Sequence, residues 1–152
     1  AKTAAEVTQA GWAMGAAPKL VGVQPANCAP IVRSFDTGAD TVPSWDKDPM
    51  TIAAGLRVPA PVEGALVLKV IRASNGTMLA VSENDIVDAV RDLASAEGIF
   101  ACPEGASTVA AAGRLAKRGE LEGPVILYNT GAGSKYAEAL AAAGLAADQA
   151  PD

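Results

Sequence analysis

Apolar residues occur along this chain in two patterns, short continuous runs and helical spacing, and the two alternate. Leu20-Val21-Gly22-Val23-Gln24, stopped by Pro25, predicts a strand whose unbroken apolar character suits an interior place in a sheet covered on both faces. Thr77-Met78-Leu79-Ala80-Val81 predicts a second strand, and Val125-Ile126-Leu127-Tyr128 a third, buried one. Thr3-Ala4-Ala5-Glu6 reads as a capping box that opens a helix running to about Met14 and closed by Gly15. A short helix is predicted over residues 30–35. Leu66, Val67, Val70 and Ile71 share one helical face ahead of the stop at Asn75-Gly76. Ser82-Glu83-Asn84-Asp85 caps a further helix with Ile86, Val90 and Leu93 on its apolar side, closed by Gly98. The run Ile99-Phe100-Ala101-Cys102 leads into another helix, from Pro103 to Arg118, and a last one covers residues 136–143.

The connections are irregular. Residues 37–49 hold Gly38, Pro43 and several acids, and Trp45 among them is expected to pack its ring down and lock the loop. Residues 50–56 predict a helical turn, after which Val58-Pro59-Ala60-Pro61 cannot stay helical. Helices alternating with short strands define an α/β chain: a partial three-layer αβα sandwich with a mostly parallel sheet flanked by helices. Three or four strands are fewer than a typical sheet holds. The sheet therefore reads as incomplete, and a chain opening at Ala1 on a helix reads as a piece of a larger enzyme. Residues 1–145 form the folded segment and 146–152 a flexible tail.

The third strand feeds Asn129-Thr130-Gly131-Ala132-Gly133-Ser134-Lys135-Tyr136, a loop in which glycine alternates with small polar residues. Open α/β sheets bind ligands where strands end at their carboxyl edge, so a cofactor near the Thr130 hydroxyl fits, with Gly131 and Gly133 allowing close approach. A plain strand-to-helix turn that needs glycine fits the same residues. Gly133-Ser134-Lys135 breaks the order of a nucleotide P-loop, and Tyr136 stands where the dinucleotide fingerprint needs its third glycine.

Composition narrows the chemistry. The 152 residues are 50% hydrophobic and 19% charged, values of an ordinary globular domain rather than a disordered one. The net charge of −5, with Lys and Arg dispersed, argues against nucleic acid. No apolar run reaches the roughly 18 to 20 residues of a membrane span, and no signal peptide is visible, so the expectation is a cytoplasmic chain. Histidine is absent, which removes Ser-His-Asp and Cys-His catalysis and the usual zinc sites. Cys28 and Cys102 belong to no Cys-x-x-Cys pair and read as reduced, buried thiols. Asn75-Gly76-Thr77 reads as a turn rather than a glycosylation site.

Taken in order, Leu20-Val21-Gly22-Val23-Gln24-Pro25, Cys28-Ala29-Pro30-Ile31-Val32, Thr51-Ile52-Ala53-Ala54-Gly55-Leu56-Arg57-Val58-Pro59, Cys102-Pro103-Glu104-Gly105-Ala106 and residues 129–136 resemble the carboxyl-terminal part of the threonine synthase family. They resemble less closely the serine/threonine dehydratases of the same fold type II, tryptophan synthase β-like superfamily. The resemblance implies pyridoxal phosphate as cofactor, a small amino-acid substrate, and conversion of O-phosphohomoserine and water to threonine and phosphate. It implies that Thr130 faces the pyridine nitrogen, with Gly131 beside it. Glu104 is carried over as an acid near the cofactor, against its simpler reading as a first-turn acid on a helix. The Gly55-Leu56-Arg57-Val58-Pro59 motif is assigned to packing.

The family's Schiff-base lysine lies in a segment like Ser-x-Lys-x-Arg, and none of Lys2, Lys19, Lys47, Lys69, Lys117 or Lys135 has that setting. The family's glycine-rich phosphate loop is missing as well. The expectation is a piece that is inactive alone, holds the cofactor weakly or not at all, and works with the missing amino-terminal half. A dehydratase piece and a stand-alone non-catalytic interaction module are the alternatives. Exposed apolar edges of an incomplete sheet would let the piece form a homodimer.

Overall fold

The computed structural model describes residues 2–12 and 15–145. It contains, in chain order, α1 (Lys2–Gln9), β1 (Val21–Pro25), α2 (Pro30–Asp36), α3 (Gly64–Ala73), β2 (Thr77–Val81), α4 (Glu83–Glu97), α5 (Pro103–Lys117) and α6 (Ala137–Ala142). Short 3-10 turns lie at Ala26–Cys28, Ala54–Leu56 and Gly133–Tyr136.

β1 and β2 pair in parallel, Val21 opposite Thr77 and Pro25 opposite Val81. Parallel strands need a long crossover, and α2 and α3 supply it. The side chains of β2 alternate between two layers. Met78 joins Ile31, Val32, Leu68 and Ile71 of α2 and α3 on one face. Leu79 and Val81 join Ile86, Val90, Ala106 and Leu115 of α4 and α5 on the other. The result is helix, sheet and helix in three layers around a short parallel sheet, with most of the driving force in these two apolar clusters. Gly22 keeps the first layer thin, because a side chain there would run into the Met78 thioether.

Capping explains where the helices start and stop. Gln24, buried at the end of β1, accepts hydrogen bonds from Ile31 N at 2.9 Å and Val32 N at 3.0 Å, satisfying the first free donors of α2. Ser82 and Asp85 form a reciprocal capping box on α4, and Gly98 ends that helix with φ of 67°. Arg114 on α5 reaches back to Ala80 O at 2.7 Å and to the Asp85 carboxylate, tying both helices to β2. At the end of α3 the chain turns through Asn75 with φ of 52°, and Gly76 follows because a Cβ would strike Leu20 O.

Several expectations change. Thr3 does not cap α1: the helix already includes Lys2, whose ammonium pairs with Glu6 at 3.7 Å, so the acid of the expected capping box is engaged elsewhere. β1 is not an interior strand, since among the described residues it pairs only with β2, and its Val21 is 42% exposed. The buried face of α3 is Gly64, Leu68 and Ile71, while Leu66 is exposed. The first helix ends at Gln9 rather than running to about Met14, because Gly11 takes φ of 72° and closes its last turn. Met14 itself lies outside the described residues, as does the tail 146–152.

The largest difference concerns residues 125–128. They form neither a strand nor part of the core: Val125, Ile126, Leu127 and Tyr128 are 48%, 80%, 42% and 76% exposed. A strand is stable only when its backbone groups are paired and its faces covered, and the described residues provide neither for this segment. Trp45 meets its expectation, packing against the α2/α3 cluster with the Arg33 guanidinium 4.9 Å from its ring centre. No helix among the described residues is long and apolar enough to cross a membrane.

Candidate functional site

The first turn of α5 and the loop after residue 128 converge. Cys102 is the N-cap of α5, extended at φ −67° and ψ 157°, and its sulfur accepts from Gly105 N at 3.4 Å. Pro103 follows at the first helical position, where its missing N–H costs nothing. Across from this turn, Cys102 N donates to Gly131 O at 3.0 Å and Gly133 N donates to Phe100 O at 2.8 Å, around an antiparallel bridge between Ala101 and Ala132. Two glycines make this approach possible. A Cβ on Gly105 would run into the Asn129 side chain and lie 3.0 Å from Asn129 Cα, and one on Gly133 would stand 2.8 Å from Ala101 O. At Gly131 an added Cβ would make only ordinary contact, 3.5 Å from Cys102 Sγ.

The Thr130 hydroxyl is held lightly. It lies 3.8 Å from Cys102 Sγ, which is itself 3.7 Å from Asn129 Oδ1. Thr130 is exposed, so its hydroxyl is free to serve a ligand. Glu104 is held firmly: a single carboxylate oxygen, Oε1, accepts from Gly55 N at 2.8 Å and from Tyr136 Oη at 2.8 Å. Burial pushes the Glu104 pKa up, but hydrogen bonds from the backbone N–H groups of Gly55 and Glu104, and from Tyr136 and Cys102, outweigh it and hold the carboxyl below its ordinary value. Tyr136 moves the other way, pushed up to about 12 by its hydrogen bond to Glu104, with burial and the neighbouring negative charge adding to it. Glu104 is thus a fixed anion that joins three segments, and a poor proton donor near neutral pH.

Of the residues singled out from sequence, the structure brings Thr130, Gly131 and Glu104 to one end of the fold. Cys102, Asn129, Gly55 and Tyr136 complete the cluster; the sequence placed them in the motifs that carry the resemblance but gave none of them an individual role at the site. Cys102 carried a usable signal, since a small polar side chain immediately before Pro at a helix start is an N-cap pattern. Gly55 and Tyr136 carried none, because their contacts to Glu104 span 49 and 32 residues. Cys28 and Cys102 are both free and buried, and burial pushes the Cys28 thiol up. Lys2, Lys19, Lys47, Lys69, Lys117 and Lys135 are all exposed. Two shallow hollows of about 390 and 250 Å³ are lined by residues including Asp40, Lys69 and Arg72, and Gly22, Val58 and Met78; Thr130 lines neither.

A three-layer α/β chain with a small-residue loop offering one unspent hydroxyl is the class these observations define. Residues 3–131 match the pyridoxal-phosphate dependent enzyme family, and the chain belongs to that family. It is 36% identical over 124 residues to a threonine synthase of Methanocaldococcus jannaschii, covering 80% of this chain and 30% of that protein. A threonine synthase of Methanosarcina acetivorans is 34% identical over 116 residues, covering 75% and 28%. The chain therefore spans less than a third of the length of these relatives. Among solved structures, a threonine deaminase from T.th. aligns with a TM-score of 0.55 at 24% identity over 67% of this chain and 36% of that one. A maize serine racemase aligns at 0.50 and 23%, over 63% and 28%. Both establish the fold, that of fold type II pyridoxal-phosphate enzymes.

The residues present fit one edge of pyridoxal phosphate. The exposed Thr130 hydroxyl, without a strong partner of its own, suits a ring nitrogen.

Proposed function

We propose that this chain is the carboxyl-terminal part of a threonine synthase-like enzyme, acting on O-phosphohomoserine and water to give threonine and phosphate. The observation that carries this reading is the 34% and 36% identity to threonine synthases over 75% and 80% of the chain. Pyridoxal phosphate, when bound, supplies an electron sink for carbanion chemistry. In this reading the Thr130 hydroxyl hydrogen-bonds the unprotonated pyridine nitrogen, leaving the ring uncharged at that atom. Gly131 lets the ring approach the backbone, and its carbonyl is already spent on Cys102 N. Glu104 contributes to the cofactor side of the loop as a fixed anion rather than as an acid catalyst.

The covalent lysine and the phosphate-binding loop come from the missing amino-terminal half. Exposure of every lysine from Lys2 to Lys135 supports this, since a lysine that must lose its proton to react is normally desolvated. Residues 125–128 support it too, because an apolar segment with both faces uncovered suits a strand completed by another part of the enzyme. Alone, the chain is inactive.

Combining the chain with that amino-terminal half and offering O-phosphohomoserine tests the proposal. Phosphate release, lowered at least tenfold by Thr130→Val, is expected. Ammonia release from serine or threonine without phosphate release would replace the synthase reading by a dehydratase.

A further inference from the structure

Resting on the proposed role of Thr130, we infer that Tyr136 is a positioning residue for it, acting through Glu104. The path is short. From residue 131 to residue 136 the loop is fastened to the same end of α5 at successive points: Gly131 O to Cys102 N, Gly133 N to Phe100 O, and Tyr136 Oη to Glu104 Oε1 at 2.8 Å. Gly55 N donates to that same oxygen at 2.8 Å, so the turn Ala54–Leu56 is drawn to the clasp as well. Thr130 has no strong bond of its own, and the fastened stretch that follows it is what fixes its backbone.

Tyr136 can carry this role without being needed for the fold. Its ring packs against the α4/α5 cluster, and that packing does not involve the hydroxyl. Removing the hydroxyl leaves Glu104 with the Gly55 N–H, so no buried charge is orphaned. The loop end is then free to shift, and a displacement of a fraction of an ångström at Thr130 lengthens a hydrogen bond that depends steeply on distance.

The test is a double-mutant cycle in the cofactor-loaded enzyme, read as the dissociation constant of pyridoxal phosphate and the position of its absorption band, with melting temperature as the check on folding. Thr130→Val is expected to weaken cofactor binding about tenfold and to move the band. Tyr136→Phe is expected to weaken it about three- to tenfold with the melting temperature nearly unchanged. In the Thr130→Val background the same Tyr136→Phe change should have no further effect, because the bond it positions is already gone. Glu104→Ala, which removes the acceptor of both Tyr136 Oη and Gly55 N, should weaken cofactor binding at least as much as Tyr136→Phe and, unlike it, should also lower the melting temperature. A Tyr136→Phe loss that persists undiminished without the Thr130 hydroxyl would overturn the inference, as would no loss at all. A Thr130→Val enzyme with unchanged binding and band would instead defeat the underlying reading of Thr130, and the inference with it.

Discussion

Tyr136 Oη and Glu104 Oε1 stand 2.8 Å apart although 32 residues separate them in sequence, so one hydrogen bond fastens the loop after Thr130 to the first turn of α5. It also ties two ionisations together. Tyr136 titrates at about 12 in the folded chain against an ordinary 10. A raised folded pKa means that its stabilising contribution is complete below pH 10 and disappears as pH climbs through 12. Tyrosinate absorbance measured against pH should show one tyrosine ionising near 12, and Tyr136→Phe should abolish that step.

Glu104 carries the acid side of the same relationship. Its folded pKa is depressed, so its contribution is present above the ordinary carboxyl value and is lost as pH falls through the folded value. Glu104→Ala removes the acceptor for both Gly55 N and Tyr136 Oη, and should cost about 1 to 3 kcal/mol at neutral pH. Urea titrations at neutral pH and at about pH 3 measure it: the gap between wild type and variant should narrow at the lower pH.

Helix α4 begins on a reciprocal cap, and Asp85 is also held below its ordinary pKa, chiefly by the Ser82 hydroxyl. Ser82→Ala should lower stability by about 1 kcal/mol. Ile86→Ala, fully buried between the sheet and α5, should lower it by about 2 to 5 kcal/mol. Chemical denaturation separates the two by magnitude.

Ile126 and Tyr128 are 80% and 76% exposed and belong to neither apolar cluster. Replacing both by lysine should leave the stability of the isolated chain within about 0.5 kcal/mol. Sedimentation of both proteins should show the variant no more associated than the wild type at any concentration, because charges on an exposed apolar segment oppose edge pairing.

Elements ruled by local chemistry were legible in the sequence. The pattern of residues 77–81 predicts a strand, and they form β2 with those bounds; Ser82 and Gly98 bracket α4 as their capping chemistry requires. The alternation of helix and strand gave the layered α/β class. Residues 125–128 show where this stops. Their β-branched and aromatic pattern reports a strand that wants burial on both faces, while burial itself depends on neighbours that the described residues do not include. Thr3 failed for a smaller reason, since the helix starts before it and Lys2 engages Glu6. At the site, the loop chemistry pointed to Thr130 and Gly131, and resemblance added Glu104. The partners that fix Glu104, Gly55 and Tyr136, are distant in sequence and follow from tertiary packing alone.

The most direct test of the account is the absorbance of the purified 152-residue chain with pyridoxal phosphate, before and after borohydride reduction, with the product mapped by mass spectrometry. The account predicts no stoichiometric adduct on Lys2, Lys19, Lys47, Lys69, Lys117 or Lys135, all of them exposed. A one-to-one adduct on a single one of these lysines, accompanied by phosphate release from O-phosphohomoserine, would contradict it and make this short chain an enzyme in its own right.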